Sequence, residues 1–363
     1  MTRYLLAGGG TAGHVNPLLA VADRIVAREP DALIRVLGTA EGLEARLVPA
    51  RGYELLVVPR LPFPRRPNAA ALRFPGRFAG LVSQIRELIR EHRIDVVVGF
   101  GGYVSAPAYL AARREGVPIA IHEANARPGI ANRLGARLTR FVGTAFHSAR
   151  LPHARFVGMP LRREIEALDR PANRRDALGF FGLSPARPTL LVTGGSQGAK
   201  HINETIDAAA ATIIGAGWQI LHITGERSTL APSAMAHYLV IPYCDRMELA
   251  LAAADLAVAR AGAATVSEFS ALGVPAVYVP LAIGNGEQRL NARDVVDAGG
   301  ALLVENAQFT PRWVLEHLVP VLEDRAQIAA MAARALSVGV LDGADRMVDL
   351  VGEAHASTVG LTP

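Results

Sequence analysis

A short apolar run that ends in a cluster of glycines occurs twice in this chain, each time followed by a helix-length segment. The first is Tyr4-Leu-Leu-Ala7 into Gly8-Gly-Gly-Thr-Ala-Gly-His14; the second is Thr189-Leu-Leu-Val-Thr193 into Gly194-Gly-Ser-Gln-Gly-Ala199. A buried parallel strand reads as a continuous apolar run, and glycines at its carboxyl end bare N–H groups at the start of a helix. Apolar runs at Leu33–Leu37, Asp95–Val98 and Pro118–Ile121 follow the first cluster. Others at Gln219–Ile223, Leu239–Ile241, Leu256–Ala259 and Ala276–Val279 follow the second. Between them lie stretches such as Pro17–Arg28 and Phe78–Glu91, where Phe78, Leu81, Val82, Ile85 and Leu88 recur at helical spacing. The alternation predicts an α/β fold of two tandem units, each a parallel sheet with helices on both faces, with the boundary near Gly158-Met-Pro160. The final amphipathic stretch, about Gly343–His355, reads as a helix able to pack back on the first unit.

At 363 residues the chain is long enough for two domains with separate cores. Cys244 is the only cysteine, which excludes an intrachain disulfide and a cysteine-rich zinc site and suits a reducing, cytoplasmic setting. The first apolar run meets Gly8 too soon for a signal peptide, and no run approaches the roughly 20 apolar residues of a membrane span. Charge is segregated: residues 1–150 carry 21 Arg against 11 acidic residues (+10), leaving 17 basic against 22 acidic (−5) for the rest of a chain with totals of 38 and 33.

Several motifs admit two readings. Gly8, Gly10 and Gly13 satisfy G-x-G-x-x-G, but a nicotinamide site needs an acid at the end of the second strand, where Gly38-Thr39 stands and Glu41 lies beyond. Gly194-x-Ser196-x-Gly198 fits a hydrolase nucleophile elbow, with His222, His237, His317 and His355 downstream, but it opens a second α/β unit and duplicates the first glycine loop, which favours a phosphate-cradling turn in which Ser196 only donates a hydrogen bond. In Arg260-Ala-Gly-Ala-Ala-Thr-Val-Ser-Glu268, the glutamate is either a bidentate acceptor for a ribose or a solvated helix residue. No Asp-x-Asp, H-x-H or H-E-x-x-H occurs, so the sequence offers no metal-centred mechanism. Residues 60–93 hold eight Arg against Glu87 and Glu91, among Leu61, Phe63, Leu72, Phe74 and Phe78, a mixture that suits an anionic bilayer. No nucleic-acid motif accompanies it.

Six motifs in order carry a resemblance over nearly the whole chain. They are Gly8–His14, Gly101-Gly-Tyr-Val-Ser-Ala-Pro107, His122-Glu-Ala-Asn125, Gly194–Ala199, Ala261–Glu268, and Glu287-Gln288 with Asn291-Ala292. Together they resemble the peptidoglycan N-acetylglucosaminyltransferases of glycosyltransferase family 28. That resemblance implies a GT-B architecture of two Rossmann-like domains facing across a cleft. It also implies inverting transfer of N-acetylglucosamine from UDP-GlcNAc to the 4-hydroxyl of the muramyl sugar of undecaprenyl-linked lipid I, giving lipid II for cell-wall synthesis and division.

The implied domains are 1–158 with about 341–363 on the acceptor and membrane side, and 159–340 on the donor side. No cofactor or metal is implied. Donor contacts would come from Thr11, Ala12, Gly13, Asn125, Arg162, Ser196, Cys244, Ala263, Ala264, Thr265, Glu268, Glu287 and Gln288. Acceptor contacts would come from Gly10, His14, Gly101, Gly102, Tyr103 and Asn125, with His14 as general base and Glu123 in reserve. The family pattern Gly-Asn-Pro-x-Arg appears here as Gly158-Met-Pro-Leu-Arg162, and its paired glutamines as Glu287-Gln288. Peripheral attachment to the cytoplasmic face of the membrane would use Leu61, Phe63, Arg65, Arg66, Leu72, Arg73, Phe74 and Arg77, with cell-wall synthesis proteins as further partners. A UDP-sugar epimerase of similar fold and a serine hydrolase using Ser196 stand as the alternatives.

Overall fold

The protein is described by a computed structural model covering residues 1–64, 69–195, 197–281 and 286–359. It divides into two compact units, one of Met1–Arg162 together with the chain from Leu341 onward, the other of Arg163–Val340.

The first unit holds seven strands: β1 (Arg3–Gly8), β2 (Leu33–Gly38), β3 (Glu54–Val57), β4 (Val96–Gly101), β5 (Ile119–Glu123), β6 (Phe141–Thr144) and β7 (Ala154–Phe156). They pair in parallel in the order β3-β2-β1-β4-β5-β6-β7. Successive side chains of a strand point to opposite faces, which is why β1 serves two cores. Leu6 joins Val36 and Val98 on one face, under Val15, Leu18 and Ile25 of the helix Ala12–Arg28. Leu5 and Ala7 join Leu37 and Val97 on the other, under Leu81, Val82, Ile85 and Ile89 of the helix Ala69–Glu91.

The C-terminal helix, Gly343–Val359, returns to this unit and buries Met347, Leu350, Val351 and Ala354 against the β1 core. Burying side chains of the Leu and Met class contributes about 1.5–3 kcal/mol each, far more than the half-exposed ion pair of Arg155 with Glu353 at 2.7 Å.

The second unit repeats the plan with six parallel strands: β8 (Thr189–Thr193), β9 (Gln219–Ile223), β10 (Tyr238–Ile241), β11 (Leu256–Ala259), β12 (Ala276–Tyr278) and β13 (Ala301–Leu303). Their order is β10-β9-β8-β11-β12-β13. In both units the strand order reverses next to the first strand, between β1 and β4 and between β8 and β11. In open α/β sheets, ligands bind beyond the carboxyl ends of the strands at such a reversal. Both glycine clusters lie there.

The structure departs from the sequence reading along residues 60–78. The helix read as Phe78–Glu91 starts at Ala69 and runs through Pro75. The longer helix places Phe74 and Phe78 one turn apart, where their rings stack at 5.5 Å and both meet Phe63, at 5.3 and 6.2 Å. Leu61 is corrected: it is only 7% exposed and belongs to the core with Val58 and Ile85, so it has no apolar surface to offer a bilayer. Phe74 packs half-buried on the same core, while Leu72 is 85% exposed beside the exposed Arg73 and Arg77. Arg65 and Arg66 lie outside the described residues, as does Ser196. Among the described residues no helix is long and apolar enough to cross a membrane.

Candidate active site

In the first unit β1 leads into the loop Gly9–Thr11 and β4 into Gly101–Val104. Gly10, Gly101 and Gly102 have φ of +87°, +94° and +86°, the left-handed region that glycine alone enters freely. The two loops touch: a Cβ on Gly102 would stand 2.7 Å from the Gly9 carbonyl oxygen. The buried Ser105 hydroxyl lies 2.7 Å from the Gly101 carbonyl and 3.0 Å from that of Ala7, tying the ends of β4 and β1 together.

His14 stands in the first turn of the helix Ala12–Arg28, half-buried, with Nδ1 3.1 Å from the Gly9 carbonyl and 3.3 Å from the Thr11 hydroxyl. A carbonyl can only accept, so this contact assigns the ring proton to Nδ1 and leaves the lone pair on Nε2. The Nε2 edge faces the second loop, where a Cβ on Gly101 would come within 3.1 Å of it. Tyr103 carries the Arg60 guanidinium over its ring at 5.3 Å.

β5 ends in His122 and Glu123, both buried. The Glu123 carboxyl accepts from the Asn125 amide at 2.9 Å, the Gly129 amide at 3.0 Å and the Asn132 side chain at 3.0 Å. Burial raises its proton affinity above the ordinary carboxyl range, against the pull of those three donors and of nearby His14. Its oxygens shape the loop that carries Asn125. Asn132 in turn accepts from Tyr109 at 2.7 Å.

His122 donates through Nε2 to the Gly158 carbonyl at 3.0 Å, and burial lowers its pKa to about 4.

In the second unit β8 leads into Gly194–Ala199 and the helix Lys200–Gly215. Gly198, at φ +79°, passes so close to the next strand's loop that a Cβ would lie 2.2 Å from the Thr224 carbonyl oxygen. A recess of about 360 Å³ opens beside it, lined by Gln197, Lys200, Asn203, Thr224, Arg227 and Ser228 among others.

β11 leads into Arg260, whose guanidinium bonds the carbonyls of Val279 and Pro280 at 3.0 and 3.1 Å and Asn306 at 2.7 Å, and then into the helix Ala263–Ala271. Its N-cap residue, Gly262, has no side chain to cap it, and the amides of Ala263, Ala264 and Thr265 have no partner within the helix. Glu268 sits half-buried one turn on. Gln288 accepts from the Leu281 amide at 2.9 Å, and Asn291 reaches the Ala261 carbonyl at 3.3 Å, which brings the half-buried Glu287 and Gln288 toward the same helix start. Cys244 follows β10 and is half-buried. Arg162 belongs to the first unit, at its last residue before the boundary.

Of the histidines read as partners for Ser196, His222 is buried, with Nδ1 on the Tyr238 hydroxyl at 2.9 Å and Nε2 on the Asn203 carbonyl oxygen at 3.1 Å. Burial lowers its pKa to about 4. Both nitrogens serve the interior.

The sequence reading passed over Glu44. This carboxylate follows β2, where an acid was sought to meet a ribose, but it turns inward to the first glycine loop and bonds the Gly10 amide at 2.8 Å. Gly38 before it and Gly42 two residues ahead were the available signal.

Family models match both units: the N-terminal domain of glycosyltransferase family 28 over residues 4–144 and its C-terminal domain over residues 189–347. A relative from Leifsonia xyli subsp. xyli is 66% identical over 351 residues, 97% of this chain and 98% of the relative. One from Streptomyces coelicolor is 50% identical over 359 residues, 98% of this chain and 99% of the relative. Both are named UDP-N-acetylglucosamine–N-acetylmuramyl-(pentapeptide) pyrophosphoryl-undecaprenol N-acetylglucosamine transferase. Among solved structures, MurG of Acinetobacter baumannii superposes with a TM-score of 0.80 at 28% identity, covering 97% of this chain and 100% of that one. A UDP-GlcNAc 2-epimerase from Neisseria meningitidis, solved with UDP-GlcNAc, reaches 0.70 at 14% identity over 97% of this chain and 100% of that one, a likeness of fold alone. The fold class is GT-B, and the chain belongs to glycosyltransferase family 28.

Proposed function

We propose that this protein transfers N-acetylglucosamine from UDP-GlcNAc to the 4-hydroxyl of the muramyl sugar of undecaprenyl-linked lipid I, forming lipid II with inversion at the anomeric carbon. The observation that carries this reading is the 50–66% identity, over 97–98% of the chain, to transferases of that name. The epimerase reading has only the shared fold behind it.

The donor binds the second unit. The amides of Ala263–Thr265 meet the diphosphate, because a helix N-terminus favours an anion, and the Ser196 hydroxyl joins them. Arg162 adds a positive charge, Glu268 accepts from the ribose hydroxyls, Cys244 lies by the uracil, and Glu287 and Gln288 meet the sugar. The acceptor binds the first unit along Gly10, Gly101, Gly102, Tyr103 and Asn125. His14 Nε2 takes the proton from the 4-hydroxyl as that oxygen bonds the anomeric carbon. The bond to the diphosphate breaks, and UDP leaves with the electron pair. Glu123 holds the loop of Asn125 rather than receiving the proton, since three donors already occupy its oxygens.

Because the acceptor's polyprenyl chain stays in the bilayer, the enzyme works peripherally at the cytoplasmic membrane face. Leu72, Arg73 and Arg77 are its exposed contact, with Arg65, Arg66 and Phe63 beside them in sequence. Incubation with labelled UDP-GlcNAc and a lipid I analogue tests the reading: label should enter the lipid only when the analogue is present.

A further inference from the structure

Glu44 is 1% exposed, and among the described residues hydrogen bonds rather than a neighbouring charge act on it. A carboxylate is costly to bury unless hydrogen bonds replace its water. Here three donors converge on it: the Gly10 amide at 2.8 Å, the Thr39 amide at 3.0 Å and the Thr39 hydroxyl at 2.9 Å. Burial by itself would raise its pKa, but these bonds outweigh it and hold the group below the usual carboxylate range.

The surroundings are shaped to admit this side chain. A Cβ on Gly9 would stand 2.4 Å from Glu44 Oε1, one on Gly38 2.5 Å from its Cγ, and one on Gly42 2.0 Å from its Oε2. Those glycines come from two separate segments, and only the one at Gly9 belongs to the loop that the carboxylate holds.

That loop is also the one that orients the candidate base. Gly10 sits at φ +87°, and the peptide joining it to Gly9 has the Glu44 bond on its N–H and the His14 Nδ1 contact on its carbonyl. Peptide planarity makes the two ends one rigid group. Fixing the N–H therefore fixes the direction in which the carbonyl receives the ring proton.

We propose that Glu44 is a positioning residue for the transfer reaction: through the Gly9–Gly10 peptide it holds His14 with its proton on Nδ1 and its lone pair on Nε2. The inference rests on the assignment of His14 as the base. An acceptor-only group is required, because all three partners donate. Glutamine in its place would set an NH₂ group against at least one of them.

The test uses the full-length protein labelled with ¹⁵N-histidine, comparing the parent with Glu44→Gln and Glu44→Asp. Side-chain ¹⁵N shifts should report His14 protonated on Nδ1 in the parent, a mixture of tautomers in Glu44→Gln, and a smaller but measurable admixture in Glu44→Asp, which keeps the charge but is one methylene too short to reach all three donors. In a transfer assay, kcat of Glu44→Gln should fall between about 10-fold and 100-fold, within the range a displaced general base can lose. Its KM for UDP-GlcNAc should stay near the parent's, and the acid limb of its pH profile should move.

A Glu44→Gln protein with a parental melting transition, tautomer and kcat overturns the proposal. If Glu44→Gln does not fold, Glu44→Asp is read alone: a disturbed tautomer supports the proposal, a parental one overturns it. The tautomer does not depend on catalysis, so a shifted tautomer with unchanged kcat upholds the link from Glu44 to the ring and takes the base role away from His14.

Discussion

His122 makes acid sensitivity a quantitative test of the first unit. Its ring is fully buried, one nitrogen donates to the Gly158 carbonyl and the other has no hydrogen-bond partner among the described residues, so a second proton would meet no acceptor there. Burial accordingly lowers its pKa from 6.5 to about 4. Protonation below the unfolded value favours the unfolded chain, so stability is fully present above pH 6.5 and is lost as pH falls toward the folded pKa. At about pH 5, 1.5 units below the unfolded value, the loss from this one group is about 2 kcal/mol at 1.36 kcal/mol per unit.

Other groups also titrate over that range, so the discriminating measurement is a difference. Urea unfolding of the parent and of His122→Gln at about pH 8 and about pH 5 should show the parent losing about 2 kcal/mol more than the variant between the two conditions. The absolute stability of the variant does not enter. Equal losses in the two proteins would refute the assignment of a neutral, buried ring.

Glu268→Ala should weaken UDP-GlcNAc binding by about 1–3 kcal/mol if it leaves ribose hydroxyls without an acceptor, and calorimetry with unchanged affinity would remove Glu268 from the donor site. Transfer should persist in excess EDTA, because helix N-termini and Arg162 are assigned the charge of the departing UDP; loss of activity restored only by a divalent ion would contradict that assignment. Binding to anionic vesicles should fall with salt and drop strongly in a Leu72→Ser, Arg73→Glu, Arg77→Glu variant that still binds UDP-GlcNAc. Vesicle binding equal to the parent's would place the membrane contact elsewhere.

The two sheets were legible because central parallel strands are apolar on both faces: β8, β9 and β11 have the ends read from their apolar runs. Edge strands carry less of that signal, and β3, with Glu54 and Val57 exposed, and β7, with Ala154 and Arg155 exposed, were not read as strands. The glycine clusters stood out as sequence because backbone geometry demands glycine there. Glu44 did not, since its role depends on a partner 34 residues away. Leu61 was misread for a related reason: whether an apolar residue among arginines faces lipid or core is decided by the helix that packs over it, and that helix begins before the point where its sequence period becomes clear.

Isolating the product formed from UDP-GlcNAc and a lipid I analogue, and reading the new glycosidic bond by NMR, decides whether this chain joins N-acetylglucosamine to lipid I. The expected product is a disaccharide linked through the muramyl 4-oxygen in the β configuration, with one UDP released per disaccharide. Release of UDP with free sugar or an epimerised sugar as the only product, whether or not acceptor is present, would contradict it.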